Sequence, residues 1–252
     1  MTMQQIALPT PDGAARAYAF TPDGKGPWPA AIIFMDAPAI RPALFEMGER
    51  LASHGYFTLL PDMFWRAGPY EPINVAEVFA DEAKRRERFG KFMGSTDATR
   101  QMTDVKACLD WLEQQPQVKP GKVGMTGYCM GCGIILRAAG TFPDRIAAAA
   151  GFHGGRLATD APDSPHLLAP KITAKLYIAG AEEDAGFPPE QADRLRAALD
   201  AAGVDNTVTI YAGARHGYTM PDLPVYHRDA AERHWTEMLT LFDATLKEKV
   251  AA

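Results

Sequence analysis

From Lys122 to Arg137 the chain reads Lys-Val-Gly-Met-Thr-Gly-Tyr-Cys-Met-Gly-Cys-Gly-Ile-Ile-Leu-Arg, a strand that must turn sharply and leave as a helix. Cys129 stands at the turn, with Gly127 and Gly131 two residues to either side. Small neighbours at these spacings let the backbone fold tightly and lift one side chain above a sheet. A thiol held there sits at a helix N-terminus, where the dipole and unpaired N–H groups favour the thiolate and offer donors to a developing oxyanion.

The rest of the pattern supplies the sheet this turn needs. Gln4 to Leu8 and Ala14 to Phe20 flank Pro9-Thr-Pro-Asp-Gly13 and read as an edge hairpin. Trp28 to Met35 is an apolar run suited to a strand buried on both faces, followed by a helix over Arg41 to His54 and a strand over Tyr56 to Leu60. That βαβ unit predicts a parallel sheet onward. Residues Asp62 to Asn74 read as a loop overhanging a pocket, and Val75 to Phe92 as one or two charged amphipathic helices. A helix over Asp97 to Gln115 buries Cys108, and Met130 to Thr141 continues the turn. Strands are expected at Lys122 to Gly127, Ile146 to Phe152, Ala174 to Ala179 and Thr207 to Tyr211. A surface loop is expected over Thr159 to Pro170, and helices at Pro189 to Ala202 and Val225 to Lys249. The 252 residues, read as a single domain 1–252, form an α/β fold: a mostly parallel central sheet flanked by helices with an antiparallel N-terminal edge hairpin.

A net charge of −5 with scattered basic residues argues against nucleic-acid binding. Met1-Thr-Met-Gln-Gln-Ile6 lacks a basic segment followed by an apolar run, so no membrane association and a cytoplasmic location are expected. Three cysteines do not suggest a disulfide framework.

A nucleophilic thiol needs a base, and the base needs a partner that holds its tautomer. Of the six histidines, His216, between Gly213 and Gly217 after a strand end, is the best base; His153, after another strand end, is placed to line a pocket. Glu182, Glu183 and Asp184 compete as the acid, and the residues alone do not separate them. Met35, Phe64, Trp65, Tyr128, Phe187 and Tyr218 suggest an apolar pocket wall. Cys129-Met-Gly-Cys132 also fits a C-x-x-C redox pair. The rival readings are thus a dithiol redox protein, a zinc site of Cys129, Cys132 and His153, and a non-catalytic binding protein of the same fold.

Gly-Tyr-Cys-Met-Gly131, with Leu60-Pro-Asp-Met-Phe64 upstream and Asp184, Pro188 and Gly213-Ala-Arg-His-Gly217 downstream, resembles the dienelactone hydrolase (carboxymethylenebutenolidase-like) family. These are α/β-hydrolases with a cysteine nucleophile. The resemblance runs from about Pro29 to about Phe242 and implies an ester or lactone hydrolase with a Cys129-His216-Asp184 triad, a thioester intermediate, a small-molecule substrate and no cofactor or metal. It decides for Asp184 because the family aspartate precedes a proline by four residues, as Asp184 precedes Pro188; Glu183 is the alternative. The fold's oxyanion hole would use the amides of Met130 and Ala37. Where the family carries a glutamate proposed to help generate the thiolate, this chain has Asp36, one methylene shorter. Family members that act on dienelactones hold the substrate carboxylate with two arginines. The one expected after the histidine is missing from Gly-Tyr-Thr-Met-Pro221, and Arg85, Arg86 or Arg88 is left as the other.

Overall fold

The computed structural model describes residues 1–247. The hairpin is present and longer than its apolar pattern suggests: β1 (Thr2–Thr10) and β2 (Gly13–Thr21) pair antiparallel, with Thr10 opposite Gly13. Gly13 closes the turn at a φ of +134°, where a β-carbon would strain the backbone.

Six further strands follow among the described residues: β3 (Ala30–Phe34), β4 (Phe57–Pro61), β5 (Val123–Tyr128), β6 (Ile146–Phe152), β7 (Lys175–Glu183) and β8 (Asn206–Arg215). They form one sheet in the order β1-β2-β4-β3-β5-β6-β7-β8. The β2–β4 pairing is antiparallel and every pairing from β4 onward is parallel. Every residue of β3, β4 and β5 is buried, which is why β3 reads as an unbroken apolar run rather than an alternation.

The helices are α1 (Pro42–Ser53), α2 (Val75–Ala80), α3 (Glu82–Gly94), α4 (Ala98–Glu113), α5 (Met130–Thr141), α6 (Pro189–Ala201) and α7 (Arg228–Leu246). Their starts have local causes. The Asp81 and Asp97 carboxylates accept from first-turn amides of α3 and α4, and proline opens α1 and α6. Cys108 is wholly buried on the inner face of α4, as expected.

Several boundaries differ from the pattern reading, among them β7, which runs four residues past Ala179 to Glu183. Pro165–Lys171, within the expected loop, winds as a 3-10 helix, and Trp65–Ala67 forms another 3-10 turn. The last helix begins at Arg228 rather than Val225, because the His227 ring accepts from the Ala230 amide and fixes the start there. Its expected end at Lys249 lies outside the described residues. β8 runs four residues past Tyr211 to Arg215 and delivers His216 directly from the strand end.

The sheet determines where chemistry can gather. Asp36 follows β3, Cys129 follows β5, His153 follows β6, Asp184 follows β7 and His216 follows β8. These five strands are neighbours and parallel, so all five residues emerge at one carboxyl edge, where open parallel sheets place their sites. Among the described residues no helix is long and apolar enough to cross a membrane.

Candidate active site

Cys129 holds a φ of +53° and a ψ of −113°, a conformation costly for a non-glycine residue. The surroundings over-determine it. Its amide donates to the Phe152 carbonyl at 3.1 Å and its carbonyl accepts from Cys132 N at 3.2 Å. A β-carbon on Gly127 would lie 2.3 Å from the Gly131 carbonyl oxygen, and one on Gly131 would lie 2.4 Å from that of Phe34. The two glycines are therefore required by close backbone approach as well as by the turn. Cys129 keeps partial solvent exposure, whereas Cys108 and Cys132 are buried.

His216 Nδ1–H donates to Asp184 Oδ2 at 2.6 Å. The second carboxylate oxygen of Asp184 accepts from the Gly186 amide at 2.8 Å, and the side chain is only 4% exposed. Glu183 instead pairs with Arg215 at 3.3 Å on the surface, and Glu182 accepts from the Gly213 amide at 2.7 Å. Of the three competing carboxylates, Asp184 is the one joined to the ring. Burial alone would lower the basicity of His216, but its hydrogen bonds to Asp184 and Cys129 and the charges on both outweigh this, raising its pKa from 6.5 to about 10. With Nδ1 committed to the carboxylate, Nε2 is the ring nitrogen left for the sulfur.

His153 is fully buried with a φ of +42°. Its Nε2 is 2.7 Å from Thr219 Oγ1, and its ring meets that of His216 edge to face at 5.3 Å between centroids. Burial, reinforced by neighbouring His216 and His234, pushes its pKa well down, so the ring is neutral. It lines a cavity of about 260 Å³ together with Asp36, Ala37, Pro38, Phe89, Cys129, His216, Gly217, Leu223, Pro224 and Val225. Ala37 and the residue that opens α5, Met130, carry the two amides expected to face an oxyanion.

Asp36 is turned to a different partner from the one its position implies. Both its carboxylate oxygens accept from Arg41, at 2.6 and 2.9 Å. Arg41 also donates to both oxygens of Asp222, at 2.6 and 3.2 Å, and to the Ala39 carbonyl at 3.1 Å. Five bonds use all the donors a guanidinium has. Desolvation raises the Asp36 pKa and the guanidinium opposes that rise, while the paired carboxylates raise the Arg41 pKa against its own desolvation. Asp36, expected to activate the thiol, is held through both oxygens by Arg41, while Cys129 is among the groups that raise the pKa of His216.

The aromatic wall also needs correction. Phe64, Tyr128, Phe187 and Tyr218 are core residues of zero exposure. Phe64 stacks on Phe92, Tyr128 on Phe152, Tyr218 packs on Tyr211, and Phe187 covers Gly180. The Trp65 indole N–H donates to Asp104 at 3.2 Å, away from the cavity. Met35 is likewise fully buried. Large apolar side chains beside a sheet gain more from complete burial than from lining an open cleft. His153 alone of the expected pocket residues lines the cavity. The walls missed were Phe89 on α3 and Leu223 to Val225, of which the pattern assigns Val225 to the start of a helix and Leu223 and Pro224 to no element. Arg86 pairs with Glu82 on the surface, Arg88 donates to the Glu71 carbonyl, and neither they nor Arg85 are among the residues lining the cavity.

Cys132 donates its S–H to the Gly127 and Phe152 carbonyls at 3.2 and 3.3 Å, and burial pushes its pKa well up. A core thiol so engaged is unsuited to dithiol exchange. Among the described residues no group of three or more His, Cys, Asp or Glu is arranged to hold a metal ion.

The model of the dienelactone hydrolase family matches residues 15–246. A Synechocystis protein provisionally named carboxymethylenebutenolidase is 26% identical over 245 residues, spanning 96% of each chain. The structure of a provisionally named dienelactone hydrolase from Klebsiella pneumoniae superimposes with a TM-score of 0.81 at 21% identity, over 96% of this chain and 98% of that one. A dienelactone hydrolase-like promiscuous phosphotriesterase from metagenomic libraries gives a TM-score of 0.77 at 25% identity, over 97% and 98%.

Proposed function

The chain belongs to the dienelactone hydrolase family, and from that premise we propose that it hydrolyses carboxylic esters or lactones through Cys129, His216 and Asp184. The observation that carries this reading is the 2.6 Å bond from His216 Nδ1 to a nearly buried Asp184, with His216 and the Cys129 of a strained turn lining one cavity.

The raised pKa of His216 keeps the ring protonated across the neutral range, and the attacking form of the Cys129 sulfur is the thiolate. The sulfur attacks the carbonyl carbon, and the carbonyl electron pair moves to oxygen, held by the amides of Ala37 and Met130. Collapse re-forms the carbonyl and breaks the bond to the leaving oxygen, which takes the proton from His216. A thioester and a neutral ring remain. Acylation thereby removes the sulfur charge that had held the proton, so the ring becomes a base. It accepts a proton from water as the resulting hydroxide adds to the thioester, and the second tetrahedral species expels thiolate, restoring the ion pair. General catalysis of this kind typically contributes about 10² to 10⁴ in rate.

A pH profile tests the acid role. A histidine raised from 6.5 to about 10 keeps its proton across the neutral range and loses it as pH rises through about 10. For alkyl esters, whose leaving alkoxide must be protonated, kcat/KM should fall as pH rises through that window. For p-nitrophenyl esters, whose leaving group needs no proton, it should not fall there. Coincident profiles for the two classes would remove His216 from the acid role.

A further inference from the structure

The cavity beside Cys129 has a composition that bears on which acyl groups it admits. Its walls are Ala37, Pro38, Phe89, Leu223, Pro224 and Val225 beside the catalytic groups, and none of the described residues lining it is lysine or arginine. Three guanidiniums stand close in the chain to lining residues, and each has partners elsewhere: Arg88, before Phe89, donates to the Glu71 carbonyl, Arg215, before His216, pairs with Glu183, and Arg41, only 1% exposed, has every donor bonded to Asp36, Asp222 and Ala39. Three carboxylates stand around the space, each paired with a cation: Asp36 in the wall and Asp222 share Arg41, and Asp184 lies behind His216.

We infer that the acyl half of the substrate is short and uncharged, a specificity opposite to that of a site built for a carboxylate-bearing lactone; this rests on the reading of Cys129 as nucleophile. A carboxylate entering the cavity would shed water and find no lysine or arginine to replace it, and the one cationic ring in the lining, His216, is already bonded to Asp184, so the desolvation goes uncompensated. It would also approach carboxylates through a medium that screens poorly. An uncharged chain meets only apolar contacts and displaces water from them. The volume of about 260 Å³ bounds its length. At about 30 Å³ for each water-sized unit, the space takes on the order of nine heavy atoms.

The test compares two esters with one leaving group: mono-p-nitrophenyl adipate, which carries a terminal carboxylate, and its neutral methyl ester. The wild-type enzyme should turn over the methyl ester with a kcat/KM more than about tenfold higher, the scale of one unpaired charge in an apolar pocket. Leu223→Lys, which puts a cation in the wall, should shrink that ratio by at least about fivefold. A wild-type ratio below about tenfold, or a smaller shrinkage in Leu223→Lys, overturns the inference and leaves ester hydrolysis by Cys129 standing. Undiminished turnover of the methyl ester by Cys129→Ala is the separate result that would remove the nucleophile itself.

Discussion

Cys129→Ala should lose at least about 10⁴-fold in kcat/KM for an activated aryl ester, because members of a nucleophile–base–acid unit act together and removing the attacking atom disables the whole. Cys129→Ser should be intermediate, losing on the order of 10²-fold or more, since a hydroxyl is a weak nucleophile without full deprotonation and the site is arranged around a sulfur anion. Neither change should unfold the protein. Alanine and serine suffer the same backbone strain at a φ of +53°, and the hydrogen bonds that fix the turn come from the main chain. Near wild-type thermal unfolding with lost turnover is therefore the expected pair of results. Alanine retaining more than about a tenth of the activity would contradict the assignment.

The second large effect is on stability. Arg41→Met should destabilise the protein by about 3 to 5 kcal/mol in urea unfolding, because it leaves the buried Asp36 carboxylate without a partner. The guanidinium also ties the segment after β3, which carries Ala37, to the segment after β8, which carries Asp222 and Leu223 to Val225. Its loss loosens two cavity walls together, so kcat should fall more than the fraction folded does. Adding Asp36→Asn to Arg41→Met removes the stranded charge and should recover part of the stability, giving a coupling energy larger than about 1 kcal/mol. A loss below about 1 kcal/mol for Arg41→Met alone would show that water or another group already serves Asp36.

This bridge also shows what a linear reading reaches and what it does not. The Gly127-x-Cys129-x-Gly131 turn was legible because backbone crowding makes a short local demand on residue type. His216 and the cluster Glu182 to Asp184 were legible because parallel strands bring their ends to one edge, whereas the choice of Asp184 within that cluster came from the family resemblance. Arg41 and Asp222 were not, since they meet 181 positions apart and neither stands in a pattern that announces the other. Arg41 read as a helix start, which it also is, as the residue capping α1. The aromatic residues failed for another reason. Phe64, Tyr128, Phe187 and Tyr218 have the composition of a pocket wall and of a core alike, and only packing against Phe92, Phe152, Gly180 and Tyr211 tells them apart. Val225 was assigned to a helix because helix starts are set by capping, here by the His227 ring, which no apolar spacing records.

The same distinction separates the three thiols. Cys108, Cys129 and Cys132 are one residue type, yet two are buried, with pKa values pushed up by desolvation, and one stands partly open beside a charged ring. Covalent chemistry at this protein should therefore be confined to a single sulfur. Rapid acid quenching during turnover of p-nitrophenyl acetate, followed by peptide mass spectrometry, tests that directly. The predicted result is one acetyl group on the peptide containing Cys129, labile to hydroxylamine, formed before steady state and absent from Cys129→Ala. Steady turnover with no acetyl on Cys129 at any quench time, or with the acetyl on another residue, would contradict the account.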